Sequence, residues 1–195
     1  KRLSRAIVEE LKRLGISEGQ FEVDFSHTEQ PNGDIIIDGS RYETTHSGYD
    51  HVEFLISTNL GEDPKPLVKV ASGGEISRIM LAMKTVLAKS ERLPILVFDE
   101  IDTGISGKIA QVVGFSIKEL SRYHQIIVIT HLAQIAALGQ SHFRVRKETV
   151  KQRTISVVEH LNPEDHQKEV ARLLSGTEIT DASLRSAQEL IDASK

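Results

Sequence analysis

The sequence predicts an α/β fold: a mostly parallel sheet flanked by helices, preceded by a small antiparallel strand region and an N-terminal helix. Three observations predict it. Pro94-Ile95-Leu96-Val97-Phe98 and Ile126-Ile127-Val128-Ile129 are continuous apolar runs, the mark of strands buried on both faces. Helical patterns alternate with these runs, as a βαβ arrangement requires. Upstream, short segments alternate apolar and polar residues, as half-buried antiparallel strands do.

Each element follows from its own pattern. Leu3, Ile7, Leu11 and Leu14 recur at helical spacing over residues 2–14, and Gly15 supplies a stop. The stripe fits the last turns of a coiled coil entering at residue 1. Phe21, Val23 and Phe25 alternate with Glu22 and Asp24; Pro31-Asn32-Gly33 is a turn before Ile35-Ile36-Ile37; His51 to Ile56 is a third strand. These three predict an antiparallel meander, closed by a loop at Gly61–Pro66. From Gly73 to about Lys89 runs a helix with a stripe of Ile76, Ile79, Met80, Met83 and Leu87. Helices follow at about Ser106–Arg122 and His131–Leu138, then a hairpin of Phe143–Lys147 with Thr154–Val158. Helices at about 163–174 and 181–193, with Gly176 between them, close the chain.

Composition narrows the function. The 195 residues are 39% hydrophobic and 27% charged, a globular balance rather than a disordered one. Cysteine is absent, which excludes disulfides and Cys-based metal sites or catalysis. No apolar run approaches the ~20 residues of a membrane helix, and KRLSRAIVEELKRLG lacks the apolar core of a secretory leader. The net charge of −4 is uneven: residues 1–66 carry 7 basic and 13 acidic side chains, residues 67–195 carry 17 and 15. Neither part has the positive excess of a dedicated nucleic-acid domain. Arg144, Arg146, Lys147, Lys151 and Arg153 form one basic cluster, offset by Glu148. It reads either as a phosphate-backbone contact or as the protective charge of a solvated edge hairpin.

Four features carry chemistry. ILVFDE (95–100) ends a buried strand in two carboxylates, where α/β sheets bind ligands. Asp99 there can hold Mg²⁺, and Glu100 can address an attacking water. Ser72-Gly73-Gly74-Glu75 opens a helix whose N-terminus suits phosphate, or is simply a Ser-capped helix start. His131 sits after the next strand and can donate to a phosphate oxygen, or is a helix-start histidine with no ligand. Asp102-Thr103-Gly104-Ile105-Ser106 forms a loop just past the carboxylates, with Ser106 as a helix cap. The other histidines form no zinc-ligand spacing.

The order and spacing of these features resemble the C-terminal half of an ABC-type ATPase head. VASGGEISRIMLAMK (70–84), FDEIDTGISG (98–107) and THLAQIAA (130–137), extended upstream by EFLISTNLGEDPKPLVKVASGG (53–74), resemble the RecN family. These are SMC-related ATPases of bacterial DNA double-strand-break repair. The resemblance implies ATP and Mg²⁺ as cofactors and a site shared between two heads. It implies that Ser72, Gly73, Gly74 and Glu75 form the signature that meets the γ-phosphate of ATP on the opposing head. Ala71 and Glu75 stand where other ABC families carry Leu and Gln. It also implies that Asp99 assists Mg²⁺, that Glu100 is the catalytic carboxylate, that Asp102 lies in the loop crossing the dimer interface, and that His131 is the switch histidine.

The phosphate-cradling G-x-x-x-x-G-K-[ST] is missing. Gly107-Lys108 is followed by Ile109, and Asp102 stands where the first Gly belongs. Together with Lys1 as first residue, this leads us to expect the C-terminal part of a longer polypeptide, inactive alone. The expected organisation is 1–15 as the end of a coiled-coil helix, 16–66 as an antiparallel strand segment and 67–195 as the C-terminal ATPase lobe. Expected partners are an N-terminal lobe bearing the phosphate loop, a second head in an ATP-dependent homodimer, and DNA, in the cytoplasm and without a membrane. The alternatives are another SMC-like repair ATPase head or a non-catalytic binding module on the same fold.

Overall fold

The computed structural model describes residues 1–70, 72–88, 93–150, 153–176 and 178–193. Ala71, the expected helix end at Lys89, and Lys151 lie outside the described residues. Helix α1 (Arg2–Arg13) packs against strand β1 (Gln20–Ser26) and helix α2 (Gly73–Leu87). Its apolar stripe is realised: Ile7, Leu11 and Leu14 are wholly buried.

The expected meander forms differently. β1 pairs directly with β4 (His51–Ser57), Phe21 opposite Ile56 and Val23 opposite Phe54, and the short β5 (Lys65–Pro66) adds to β4 within the expected loop. Residues between β1 and β4 leave the sheet and build a hairpin of their own, β2 (Ile35–Ile37) with β3 (Ser40–Tyr42). Asp38 (φ 50°) and Gly39 (φ 88°) occupy the left-handed region in its two-residue turn. Asp-Gly between apolar and aromatic residues is a strong hairpin signal, and it places the reversal after Ile37 rather than only at Gly33.

A 3₁₀ turn at Leu67–Lys69 leads into α2. β6 (Ile95–Phe98), α3 (Gly107–Leu120) and β7 (Gln125–Val128) then form a parallel βαβ unit, with Leu96 beside Ile126 and Phe98 beside Val128. The main core joins α1, α2, α3, β1, β4 and one face of this pair. Ile79, Leu81, Ile101, Val113 and Leu120 are at most 1% exposed. In α2 the burial centres on Ile79, Leu81, Ala82 and Met83, with Ile76 and Met80 half-buried.

The expectation of burial on both faces of the two strands is corrected. Leu96, Phe98, Ile126 and Val128 face the core, whereas Ile95 (50%), Val97 (61%), Ile127 (48%) and Ile129 (55%) are exposed. Residues two apart share a face, so the four form one open apolar surface.

α4 (Ala133–Ala136) is shorter than expected and begins after His131. Its small side chains meet α5 (Pro163–Ser175) and α6 (Asp181–Asp192) in a second cluster, with Ala133, Ala136 and Ala137 against Val170, Ala171 and Ala187. Asn162 caps α5 and Thr180 caps α6 through a reciprocal bond with Ser183. The hairpin β8 (Phe143–Val150) with β9 (Arg153–His160) extends beyond the range the sequence suggested.

Candidate functional site

The N-terminus of α2, the C-terminal ends of β6 and β7, and the loop after β6 meet at one edge of the molecule. Ser72 caps α2 as the bland reading required, its Oγ accepting from the Glu75 N–H at 3.4 Å. The two glycines after it have a second reason to be there. A β-carbon on Gly74 would lie 2.8 Å from the Thr103 carbonyl oxygen and 3.1 Å from that of Glu100. A β-carbon on Gly73 would overlap the Glu100 carboxylate. The helix start therefore lies directly on the loop that carries the candidate catalytic residues, at a distance only glycine allows.

Asp99 and Glu100 follow β6 and are both exposed. Ser77 of α2 donates to the Asp99 carbonyl at 2.6 Å, and the Asp99 Oδ1 accepts the Glu100 N–H at 2.9 Å. Glu100 has φ 56°, a left-handed conformation that a side chain of this kind rarely takes. The surrounding contacts hold it there, and such strain concentrates at functional sites. Thr103 N–H closes the turn on the Glu100 carbonyl at 3.0 Å.

Asp102 is placed differently from its neighbours. It is 4% exposed, and its Oδ2 accepts from Thr130 Oγ1 at 2.6 Å and from the His131 N–H at 2.8 Å, with His131 Nδ1 at 3.0 Å. The carboxylate turns inward to the tip of β7 and the His131 side chain stays 72% exposed. Arg78 of α2 braces the same loop, its guanidinium donating to the Thr103 carbonyl at 2.8 Å and reaching the Ile101 carbonyl at 3.5 Å. Burial pulls the Arg78 guanidinium below its ordinary pKa, partly opposed by Glu75. Sequence reasoning missed Arg78; a lone Arg three residues past Glu75, among the apolar residues of α2, was its only signal.

Of the expected site residues, Ser72, Gly73, Gly74, Asp99, Glu100, Asp102 and His131 gather at this edge. Glu75 points elsewhere: its Oε2 accepts from Thr58 Oγ1 at 3.4 Å, beside a cavity of about 270 Å³ lined by Gly15–Glu18 and Thr58–Leu60. Among the described residues no group of three or more acidic or histidine side chains forms a metal cage. A single carboxylate such as Asp99 is nevertheless what Mg²⁺ uses when phosphate oxygens and water complete its shell.

Two arginines of the basic hairpin have acidic partners. Arg144 pairs with Glu159 at 2.7 Å and reaches Glu169 at 3.6 Å; Arg146 pairs with Glu148 at 2.7 Å. The Glu159 hydrogen bond raises the Arg144 pKa and lowers that of Glu159.

Comparison with known proteins places the chain as follows. The chain is 39% identical over 193 residues to the DNA repair protein RecN of Bacillus subtilis, covering 98% of this chain and 34% of that protein. The chain resembles RecN along almost its entire length. RecN of Treponema pallidum is 42% identical over 183 residues, covering 94% of this chain and 31% of that protein. The chain thus spans about a third of the length of the RecN proteins it matches. No family model matches it. The fold is that of SMC heads. The Smc head domain from Pyrococcus yayanosii superposes with a TM-score of 0.55 at 24% identity, over 89% of this chain and 29% of that one. That from Pyrococcus furiosus, solved with an extended coiled coil and the C-terminal domain of ScpA, gives 0.52 at 25%, over 89% and 38%.

Proposed function

We propose that this RecN-like chain is the C-terminal lobe of an ATPase head that uses ATP binding and hydrolysis to drive DNA binding or bridging in repair. One observation carries the reading: Ser72-Gly73-Gly74, Asp99-Glu100 and His131 converge on one edge, with the Glu100 carboxylate against Gly73. An adenine nucleotide held by a second lobe would meet this edge from outside. Asp99 would hold Mg²⁺, which when bound supplies neutralising charge for the phosphates. Glu100 orients the attacking water and accepts its proton and His131 stabilises the charge that develops on the same nucleotide, while the α2 N-terminus would do so for the nucleotide of the opposing head. RecN similarity supports the repair context, and the names of the relatives supply it. Residues 1–15 are the end of a coiled coil, 16–66 the strand segment and 67–195 the catalytic lobe in this reading. Its setting is the cytoplasm.

The open sheet face of Ile95, Val97, Ile127 and Ile129 supports a missing lobe. A parallel pair with one apolar face exposed normally has that face covered. The chain alone is expected to show no ATP turnover, and the N-terminal lobe with its phosphate loop to restore it. Robust turnover by the chain alone would end this division of labour. In the complete head, Glu100→Gln is expected to slow hydrolysis by about 10²-fold or more while ATP-dependent head association persists. Unchanged turnover would remove Glu100 from its role.

A further inference from the structure

Two side chains of α2 grip the loop after β6 one turn beyond the glycines. Ser77 and Arg78 follow Gly73 and Gly74 by four residues, so each lies on the same helix face as one of them. A serine inside a helix commonly returns its hydroxyl to the carbonyl four residues back. Ser77 instead donates out of the helix, to the Asp99 carbonyl at 2.6 Å. Arg78 is 7% exposed and donates to the Thr103 carbonyl at 2.8 Å. A buried guanidinium is costly unless acceptors meet it, and here they come from the loop.

Glu100 lies between the two grips. The backbone conformation of a residue is set by the two peptide planes that flank it. The plane before Glu100 is held at both ends. Its carbonyl, on Asp99, accepts from Ser77, and its N–H, on Glu100, donates to Asp99 Oδ1 at 2.9 Å. The plane after Glu100 is held through its carbonyl, which accepts the Thr103 N–H at 3.0 Å, and Thr103 is itself held by Arg78. With both planes pinned, Glu100 stays at φ 56°, a region its side chain disfavours. A return to negative φ would swing the carboxylate away from Gly73, against which it lies. We propose that Ser77, seconded by Arg78, is a positioning residue for Glu100: the two hold its backbone in the left-handed region and so aim its carboxylate. The α2 start and Glu100, which would serve the nucleotides of opposite heads, are thereby held as one unit.

The proposal rests on Glu100 acting in hydrolysis, and two measurements on the complete head separate the two. Ser77→Ala is expected to lower kcat for ATP about 10-fold with KM within about twofold, because a misaimed reacting group costs rate and not binding. Ser77→Thr, which keeps the hydroxyl, is expected to hold kcat within about threefold of wild type. Wild-type kcat in Ser77→Ala, or an equal loss in Ser77→Thr, overturns the proposal. The second measurement needs no turnover. Glu100→Gly is expected to melt about 2 °C or more above Glu100→Ala, since glycine accepts positive φ freely and alanine does not. Combined with Ser77→Ala, that gap is expected to shrink by about half or more. No gap beside native Ser77, or the same gap in both backgrounds, overturns the proposal. If Glu100→Gln leaves turnover unchanged, the hydrolytic role of Glu100 fails, while the melting gaps still decide whether Ser77 holds its backbone.

Discussion

The two faces of the β6–β7 pair are made from the same strands and the same residue types, yet they live in different environments. Leu96, Phe98, Ile126 and Val128 close the main core, with Phe98 5% exposed. Ile95, Val97, Ile127 and Ile129 are about half exposed, and Val97 reaches 61%. An apolar run records only that both faces avoid water in the working molecule. It does not record whether the covering atoms belong to the same chain. Here one cover is supplied by α1, α2 and α3, and the other is not among the described residues.

The largest test of this contrast is a pair of truncations on one strand. Phe98→Ala is expected to cost about 3–5 kcal/mol, because it empties a packed site. Val97→Ala, its neighbour on the other face, is expected to change stability by about 0.5 kcal/mol or less. Urea unfolding of both variants reads the difference; equal losses would mean that the outer face is covered in solution by this chain.

The second test asks whether the loop edge is braced from the core side. Arg78→Leu keeps much of the aliphatic volume but strands the carbonyls of Ile101 and Thr103. It is expected to cost about 1–3 kcal/mol. Exchange protection of amides in residues 99–107 is expected to fall with it, whereas amides of β8 and β9 should be unaffected. Uniform loss would show that Arg78 supports the whole fold and not this edge.

A third test turns the outer face against its cover. Val97→Asp is expected to leave the thermal midpoint of this chain within about 2 °C of wild type, since the site already faces water. The same change in the complete head is expected to abolish stable association with the N-terminal lobe, measured by co-purification. Retained association would place the interface elsewhere.

The smallest effect is a pH dependence near the second, alanine-rich cluster. His142 is partly buried with its ring 4.7 Å from that of His166, and burial first, then His166, lowers its pKa; Glu169 opposes this. The unfolded chain therefore takes up the proton first. Stability is expected to decline as pH falls below about 6.5 and to level off once the folded histidine is itself protonated. His142→Gln is expected to flatten that slope; thermal melts between pH 7.5 and 5 measure it.

Much of this was legible in the chain. The βαβ order and the approximate helix positions followed from apolar runs, caps and turn residues, which act over a few residues, whereas the contact of Gly73 with Glu100 appears only in the fold. The direct β1–β4 pairing did not, because register between distant strands depends on what intervenes, and the Asp38-Gly39 turn takes residues 27–50 out of the sheet. Arg78 was invisible for a similar reason: a charged residue among apolar ones in a helix is normally exposed, and only the passage of the Ile101–Thr103 carbonyls beside it creates its partners.

By itself the sequence determined which candidate residues stand at strand ends and helix starts and in what order, since those ends are set locally. The tertiary structure alone decided which way each carboxylate turns. Asp99 and Glu100 face outward and Asp102 faces the tip of β7, because a buried carboxylate persists only where donors converge, and those donors come from a segment nearly thirty residues away.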